Sequence, residues 1–356
     1  MPGVIKLTNE RAWRTYIGGS LIDRLHGNED GKDNHFPEEW IMSITECRNS
    51  GREDVKNEGM SRDVKSGKLL ADIIGESAAT LLGKAHYEKF GSTTGVLIKI
   101  IDSAERLSIQ VHPDKAKAKQ YFNSEYGKTE SWHILGGREI NGEKPCIYLG
   151  FKKGVTREYW QKMFDEQNIS GMLDCLNRIE VNKGDTFLIK GGVPHALGAG
   201  CFLLEVQEPT DYTIRTERTT PSGFKIADEM CHQGIGFENM MDCFNYDGMD
   251  TQEIIKKYKL RSKTNGSNTV LISYDATPCF ALDKIETDDS FLLDSEEVFY
   301  GLYVLEGEGK LAWGSEYESI SAGDQLFVSA GTPLKVTARS KLTVAKFYGP
   351  KIREEA

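Results

Sequence analysis

Two segments of the chain, 139 positions apart, follow the same pattern, and this internal repeat restricts the folds that the chain can adopt. The first, 184–195, reads Gly-Asp-Thr-Phe-Leu-Ile and, two residues later, Gly-Val-Pro-His. The second, 323–334, reads Gly-Asp-Gln-Leu-Phe-Val and, two residues later, Gly-Thr-Pro-Leu. A turn, an apolar strand and a second turn closed by proline are typical of a small β-barrel or jelly roll. We therefore predict two related β units, in which Leu334 of the second copy replaces His195 of the first.

Composition and charge limit the classes of protein to which the chain can belong. The 356 residues are 39% hydrophobic and 28% charged, which is enough for a packed core and for two or three linked units. The 36 glycines against 10 prolines indicate many tight turns, as expected of a strand-rich chain. A formal charge of -10 argues against a nucleic-acid binder. A phosphate-bearing substrate would need a local cluster of Lys and Arg.

Cysteine spacing and apolar runs indicate the compartment. The seven cysteines are scattered without a Cys-x-x-Cys pair, which favours reduced thiols over a disulfide framework or a thiolate zinc site. The stretch from Met1 to Lys6 lacks the apolar core of a signal peptide. The sequence has no run of about 18 apolar residues that would span a membrane. We expect a soluble cytoplasmic protein, monomeric or homodimeric, with no membrane or nucleic-acid partner.

Hydrophobic periodicity predicts a mainly β chain with helical insertions. Period-two alternation recurs in two regions, whereas apolar residues at helical spacing mark the insertions between strands. We predict an N-terminal unit over 1–220 with helices at about 61–92 and 157–177, a helical connector over 221–259, and a C-terminal β unit over 260–356. The second unit lacks the histidine of the repeat and is predicted to lack metal ligands.

Polar side chains from three places in the chain are predicted to meet at one point. Gln110 and His112 share one face of a strand because side chains alternate along it. Glu130 lies on the next strand, which a short polar excursion can fold back beside the first, and His195 follows Pro194 in the turn that ends the repeat. Two imidazoles, a carboxylate and an amide oxygen suit zinc, with manganese, cobalt or iron(II) as alternatives. The simpler interpretation is that Gln110 and His112 decorate an exposed sheet face.

Three stretches of sequence resemble one family of enzymes. They are Ile-Gln-Val-His-Pro from Ile109, Gly-Lys-Thr-Glu from Gly127, and Pro-His-Ala-Leu-Gly-Ala-Gly from Pro194. In this order they resemble the type I phosphomannose isomerases (mannose-6-phosphate isomerases), metal-dependent proteins of the cupin superfamily. The resemblance is strong over about 90–220 and looser elsewhere. It implies a catalytic cupin (jelly-roll) domain followed by a degenerate one. It also implies interconversion of mannose 6-phosphate and fructose 6-phosphate through an enediol.

Carried over by position, the resemblance assigns roles to individual residues. The family's zinc ligands fall on four residues of this chain: Gln110, His112, Glu130 and His195. Arg215 takes the place of the family's catalytic arginine, where it would stabilise the enediolate and help to orient the phosphate.

Substrate contacts and the proton-transferring group are less closely defined. Lys128 shares a strand face with Glu130 and is expected to contact the substrate. Eukaryotic members carry a lysine shortly after the arginine, and in this chain Arg218 or Lys225 would take that role. His133 points away from Glu130 by strand parity and is predicted to be structural. The candidates for the base are a metal-bound hydroxide, Glu205, Glu217 and Lys128.

The tract after Arg215 departs from the family, because Thr216-Glu217-Arg218 stands where many bacterial members have Val-Tyr-Asp. Two other functions therefore stay open: a cupin isomerase or epimerase for another sugar or sugar phosphate, and a non-catalytic sugar-binding cupin. An intact four-residue set beside one degenerate copy argues against the second, since a structural barrel need not cluster polar residues inward.

Overall fold

The computed structural model describes residues 3–49 and 51–352 of the chain, and β-strands predominate in it. The helices of the described residues are short, none longer than 13 residues. They are α1 (Ser20–Leu25), α2 (Leu70–Leu82), α3 (Lys84–Phe90), α4 (Lys115–Phe122), α5 (Arg157–Asp165), α6 (Ile169–Asp174), α7 (Asp228–His232), α8 (Gly236–Met241) and α9 (Thr251–Tyr258).

The strands fall into two groups along the chain, before and after these last three helices. The first group is β1 (Val4–Leu7), β2 (Glu10–Ala12), β3 (Glu38–Ile41), β4 (Leu97–Asp102), β5 (Gln110–Val111), β6 (Glu130–Gly137), β7 (Cys146–Phe151), β8 (Leu176–Glu180), β9 (Thr186–Ile189), β10 (His195–Leu197), β11 (Cys201–Gln207) and β12 (Ile214–Arg215). The second group is β13 (Lys263–Asn265), β14 (Asn268–Ile272), β15 (Ala281–Thr287), β16 (Ser290–Leu293), β17 (Tyr300–Glu306), β18 (Glu308–Trp313), β19 (Glu316–Ser321), β20 (Gln325–Val328), β21 (Leu334–Ala338) and β22 (Leu342–Tyr348).

Two antiparallel sheets form the N-terminal unit. The six-stranded sheet has the order β2-β3-β4-β11-β6-β9, and the five-stranded sheet has the order β12-β5-β10-β7-β8. Inward-facing residues of both sheets make one apolar core, in which Trp132 and Phe187 of the larger sheet pack with Leu149 and Leu197 of the smaller one. Two packed sheets with a shared core are the jelly-roll type of arrangement that the repeat predicts.

The C-terminal unit is built in the same way. Its seven-stranded sheet has the order β1-β20-β17-β22-β15-β14-β13, and its four-stranded sheet has the order β16-β21-β18-β19. The core between them is apolar and includes Leu302, Leu326, Leu334 and Val336. The larger sheet also takes in β1, from the beginning of the chain, which pairs with β20 from Val4 opposite Val328 onward. The mainly β architecture with helical insertions is therefore confirmed.

The two units pack against each other through the outer faces of their larger sheets. Strand β4 is apolar almost throughout because both of its faces are buried. Ile98 and Ile100 face the other unit, where they share a core with Tyr303 and Phe327. The alternate residues of the same strand face the interior of the N-terminal unit. Lys99 faces the same interior but is charged, unlike its apolar neighbours on that face, and it is only 3% exposed.

Both copies of the repeat connect one sheet to the other. β9 lies in the six-stranded sheet and β10 in the five-stranded sheet, and β20 and β21 are divided between sheets in the same manner. Gly192 and Gly331 in the connecting turns have φ values of 87° and 75°, in the left-handed region that favours glycine. Because the turns match, His195 and Leu334 occupy equivalent positions. The first begins a strand beside polar residues, and the second lies in an apolar core.

Seven helices of the described residues lie in the three segments predicted to be helical: α2 and α3 in 61–92, α5 and α6 in 157–177, and α7 to α9 in 221–259. The two short helices α1 and α4 lie outside those segments and were not predicted. The domain boundaries at 220 and 260 stay a prediction. Strand β1, which precedes the first boundary, pairs with β20 of the C-terminal unit. All seven cysteines are free thiols, and among the described residues no helix has the length and apolarity to cross a membrane.

Candidate metal centre

Strand register brings three of the predicted site residues into one row across the five-stranded sheet. Gln110 of β5 is the direct cross-strand partner of His195 in β10 on one side and of Arg215 in β12 on the other. Residues that pair directly across antiparallel strands project to the same face of the sheet. His112 follows two residues after Gln110, so it projects to that face as well.

Glu130 reaches the same point from the opposite sheet. Its Oε2 atom lies 3.0 Å from Nε2 of His112, and its Oε1 atom lies 3.3 Å from Nε2 of His195. The amide nitrogen of Gln110 lies 3.2 Å from Nε2 of His195. His112, Glu130 and His195 are all buried, and the four predicted residues converge inside the N-terminal unit. The alternative that Gln110 and His112 decorate an exposed sheet face does not hold.

Backbone carbonyls fix the tautomer of both histidines. Nδ1 of His112 donates to the carbonyl oxygen of Tyr212 at 2.8 Å, and Nδ1 of His195 donates to that of Val193 at 2.9 Å. Burial, and next the charge of Lys128, lower the pKa of His112 to about 3, and burial also lowers the pKa of His195. Each neutral ring therefore turns an unprotonated Nε2, with its lone pair, toward Glu130.

The residues present fit a divalent metal ion. Neither carboxylate oxygen of Glu130 accepts a hydrogen bond from the described residues, although both are buried. Two imidazole lone pairs that face a buried carboxylate repel it. The ammonium of Lys128 offsets this repulsion beside His112 and Oε2, and a cation held between the three groups would also offset it beside His195 and Oε1. Rotation of the Gln110 side-chain amide would present its oxygen as a fourth donor. This set of two nitrogens and two oxygens matches the preferences of zinc.

Lys128 connects this cluster to the neighbouring cavity. Its Nζ atom lies 2.9 Å from Nε2 of His112 and 3.4 Å from Oε2 of Glu130, and the residue is only 4% exposed. Burial lowers the pKa of Lys128, and the charge of Glu130 is the main opposing influence. The predicted substrate contact therefore lies beside the candidate ligands and also lines the cavity.

A cavity of about 150 Å³ opens next to the cluster. Gln110 and Lys128 form its boundary with the ligand cluster, and Trp132 forms part of its apolar wall. Five cations and three carboxylates of the described residues line it: Arg14, Lys99, Lys128, Arg215, Lys225, Glu38, Glu205 and Asp211. Cations outnumber carboxylates here although the whole chain is acidic, so the cavity suits an anionic small molecule.

The three basic residues predicted near the end of the first unit have different surroundings. Arg215 lines the cavity and donates to the carbonyl oxygens of Thr213 at 3.0 Å and Met230 at 3.3 Å. Lys225 also lines the cavity and donates to Thr219. These two are the basic residues of this tract that face the cavity.

Arg218 is not brought to the cavity. Its guanidinium carbon lies 4.9 Å from the ring centroids of both Phe164 and Phe237, and its Nε atom pairs with Asp228 at 2.9 Å. β12 ends at Arg215, so strand parity no longer sets the direction of the side chains that follow. Arg218 consequently packs onto α5 and α8 instead of joining the cavity.

The candidate bases also separate. Glu205 lines the cavity, where it accepts from Trp132 Nε1 at 3.0 Å and pairs with Lys99 at 3.0 Å, and burial raises its pKa. Glu217 lies outside the cavity lining. It accepts two hydrogen bonds from Arg106, at 2.6 and 2.8 Å, and one from the backbone nitrogen of Ile109 at 2.7 Å. Glu217 therefore stabilises the segment that leads into β5.

His133 lies on the face opposite to Glu130, as strand parity predicts. Its Nδ1 atom lies 2.9 Å from the hydroxyl of Thr186, and burial lowers its pKa to about 4. It contacts none of the four clustered residues.

Sequence reasoning missed four charged residues of the cavity wall: Arg14, Glu38, Lys99 and Asp211. One of them carries a signal that the sequence displays. Lys99 interrupts the apolar run of β4, and a charge inside a strand that is buried on both faces indicates a polar site. Arg14 and Asp211 lie outside strands, where no periodicity predicts their direction.

Comparisons with known proteins relate most of the chain to one group of enzymes. Residues 8–130 match the family described as phosphomannose isomerase type I, catalytic domain. The chain is an enzyme related to the type I phosphomannose isomerases. The family match includes Gln110, His112 and Glu130 and ends before His195 and Arg215, which the strand register adds to the same row.

Individual relatives extend this phosphomannose isomerase resemblance along the chain. A Bacillus subtilis protein named probable mannose-6-phosphate isomerase GmuF is 28% identical over 278 residues, 76% of this chain and 80% of its own length. A mannose-6-phosphate isomerase of Streptococcus mutans is 27% identical over 68% of this chain and 72% of its own. The crystal structure of the mannose 6-phosphate isomerase from Bacillus subtilis covers 96% of this chain and 99% of its own, with a TM-score of 0.70 and 22% identity. That structural likeness shows the fold alone.

Proposed function

We propose that this chain interconverts mannose 6-phosphate and fructose 6-phosphate, using one divalent metal ion, zinc in the first place, held by four residues: Gln110, His112, Glu130 and His195. The observation that carries the metal is the convergence of two imidazole lone pairs on a carboxylate without hydrogen-bond donors. The sugar phosphate is supported by the family match and by the excess of cations around the cavity.

The reaction moves a proton between C1 and C2 of the sugar, so it needs charge stabilisation on the oxygens and a base near the carbons. When bound, the metal ion would supply a Lewis acid for adjacent sugar oxygens. Arg215, which shares a row with Gln110, would bind the oxygen that gains negative charge in the enediolate. Its planar, permanently charged guanidinium suits this role better than an amine.

Two of the candidate bases, Glu205 and Lys128, line the cavity, whereas Glu217 is not part of its lining. Glu205 is favoured as the proton carrier because burial raises its pKa toward the range useful for proton transfer. Lys128 contacts His112 and Glu130 directly, so we assign it to the substrate oxygens next to the metal. Lys225 reaches the cavity where Arg218 does not, and we assign it to the anionic end of the substrate.

A coupled assay that detects fructose 6-phosphate formed from mannose 6-phosphate tests the proposal. Turnover should disappear after chelation and return when zinc is added to the stripped protein. Elemental analysis of the same sample should give about one metal per chain. Protein that contains the metal and gives no turnover would remove the proposed substrate while leaving the metal site in place.

One observation favours a second candidate, an isomerase or epimerase for another sugar phosphate. Thr220 lines the cavity from the tract 216–223, which departs from the family pattern, and Phe224 and Lys225 line it from the residues that follow. These residues would alter which hydroxyl groups fit beside the metal. A panel of aldose and ketose phosphates, tested on the metal-loaded protein, separates the two candidates by their kcat/KM values.

A further inference from the structure

Strand β3 carries two consecutive glutamates, Glu38 and Glu39, which face opposite ways because side chains alternate along a strand. Glu38 lines the cavity of the N-terminal unit. Glu39 faces the C-terminal unit, as does Ile41, which belongs to the core that the two units share. Both glutamates are buried, so one short strand connects the cavity wall with the contact between the units.

On the cavity side, Glu38 has four partners, two at each carboxylate oxygen. Its Oε1 atom accepts from the hydroxyl of Tyr16 at 2.8 Å and pairs with Nε of Arg14 at 2.9 Å. Its Oε2 atom accepts from the indole nitrogen of Trp40 at 2.8 Å and lies 3.8 Å from Nζ of Lys99. Arg14 and Lys99 both line the cavity. The position of Glu38 therefore determines how these two cations are presented to an anion.

On the opposite side, Glu39 is bound by a tyrosine of the C-terminal unit. The hydroxyl of Tyr303, in β17, donates to Oε1 of Glu39 at 2.7 Å, and both residues are fully buried. The other oxygen, Oε2, lies 2.7 Å from Nε2 of His26 and 3.3 Å from Nε of Arg11. Loss of the Tyr303 hydroxyl would leave a buried carboxylate oxygen without its donor, which is a costly state.

A second polar residue of the C-terminal unit binds the end of the same strand. Gln325, in β20, is the direct cross-strand partner of Tyr303, so both side chains project to the same face of their sheet. Its Oε1 atom accepts from the backbone nitrogen of Met42, the residue after β3, at 2.8 Å. Its Nε2 atom donates to the carbonyl oxygen of Thr8 at 2.9 Å. Two neighbouring polar side chains thus fix β3 within an interface whose core is apolar.

We propose that Tyr303 is a positioning residue for the cavity: through Glu39 it fixes β3, and β3 in turn places Glu38 against Arg14 and Lys99. Buried polar contacts lose hydration and add little net stability, so orientation of the strand is the benefit that they offer. A displacement of β3 at Glu39 also displaces the adjacent Glu38. The C-terminal unit, predicted to lack metal ligands of its own, would then contribute to anion binding without contacting the anion.

The test measures the binding of inorganic phosphate to the full chain in Y303F, E38Q and the double variant Y303F/E38Q, with Y300F as the matched control. Tyr300 also lies in β17 and is also fully buried, but its hydroxyl has no hydrogen-bond partner among the described residues. Its ring packs in the core of the C-terminal unit. Both substitutions remove one hydroxyl from a buried tyrosine, so a difference between them reports the contact with Glu39. All samples are compared at equal metal content.

Y303F should weaken phosphate binding by about threefold to tenfold, the size of effect expected between residues of one hydrogen-bonded network, and Y300F should leave it unchanged. In the E38Q background, Y303F should weaken phosphate binding no further, because its effect passes through Glu38. The midpoint of denaturant unfolding should fall equally in both backgrounds, since the contact with Glu39 is lost in each. A merely structural role would lower the midpoint without this dependence on Glu38.

The proposal is overturned if Y303F binds phosphate as tightly as the wild type, if Y300F weakens binding to the same extent, or if Y303F is equally harmful in the E38Q background. Should E38Q fail to fold, a crystal structure of Y303F decides the matter. The Glu38 carboxylate should then have moved relative to Arg14 and Lys99, and unchanged distances would refute the proposal. The inference rests on the proposed function only for the identity of the anion as a sugar phosphate. Since phosphate binding needs no turnover, failure of that function would leave this test in force.

Discussion

Gln110 and His195 are direct partners across two antiparallel strands, although 85 residues separate them in the sequence. Their pairing sets the register of the whole row, because Arg215 pairs with Gln110 from the other side. A shift of one residue in β5 would turn Gln110 and His112 to the opposite face and dismantle the cluster. The site therefore depends on strand register as much as on the identity of its residues.

Substitution of Glu130 by Gln should remove the metal. The amide keeps the volume of the side chain but carries no charge to balance a divalent ion between His112 and His195. We expect metal content, measured by elemental analysis, to fall from about one per chain to near zero, and activity to fall by at least about 100-fold. Glu229→Gln, an exposed acid on α7, is the control and should retain the metal. Full metal occupancy in Glu130→Gln would contradict the assignment.

Arg215 and Arg218 form a natural pair for comparison, three residues apart and differently placed. Arg215→Ala should lower kcat by about 100-fold or more, the usual cost of removing one group that stabilises developing negative charge. Arg218→Ala should leave kcat/KM within about twofold, because its side chain packs on Phe164 and Phe237. Steady-state kinetics on mannose 6-phosphate would check both. Equal losses in the two variants would argue against the assigned role of Arg215.

Glu205 and Glu217 distinguish a proton carrier from a structural acid. Glu205→Gln should lower kcat by about 100-fold or more and flatten the pH profile of kcat/KM. Glu217→Ala removes the carboxylate that binds the partly buried Arg106 and the buried Ile109 amide, so it should lower the free energy of unfolding by about 3–5 kcal/mol. Denaturant unfolding and kinetics of both variants would show whether the two effects separate. A fully active Glu205→Gln would shift the base to Lys128.

His133 should make stability depend on pH. Its pKa lies at about 4 in the folded chain and near the ordinary value of 6.5 in the unfolded chain, because burial disfavours the charged ring. The stabilising contribution is fully present above pH 6.5 and is lost as the pH falls through 4, up to about 3 kcal/mol. His133→Asn should therefore unfold with a shallower dependence on pH between 6.5 and 4. An unchanged slope in denaturant unfolding would refute this.

Leu334 tests the interpretation of the second copy as a packing element. Leu334→Ala should lower the free energy of unfolding by about 2–5 kcal/mol, because it leaves a hole in the apolar core of the C-terminal unit. Leu292→Ala, at a leucine that is 73% exposed, should change it by less than about 0.5 kcal/mol. Leu334→His should bind no additional metal, since Leu334 lies in an apolar core among Leu302, Leu326 and Val336. A second equivalent of metal in this variant would contradict the interpretation.

Strand parity explains which part of the site the sequence could predict. Gln110, His112, Glu130 and His133 lie on strands or at their ends, where alternation fixes the face of each side chain. The repeat then placed His195 at a turn between sheets. The same rule could not place Arg218, which follows the last residue of β12 and turns toward two helices.

The residues that parity missed belong to irregular segments or to contacts between distant parts of the chain. Arg14 and Asp211 are 197 residues apart, and neither lies in a strand. Their pairing depends on the tertiary packing of two loops, for which a single sequence offers no periodic signal. A polar environment for Lys99 could have been predicted from the sequence, because a lysine within an apolar strand requires a polar partner. In the structure that partner is Glu205.

The position of β1 also affects how the chain can be divided and how it is made. β1 is synthesised before the other strands of the described residues, whereas the edge that it covers, on β20, follows about 320 residues later. During translation the C-terminal sheet therefore has an open edge until β1 pairs with β20. A fragment starting at residue 260 would keep that edge permanently uncovered, so we expect it to self-associate, and supplying the β1 segment as a separate peptide should suppress this.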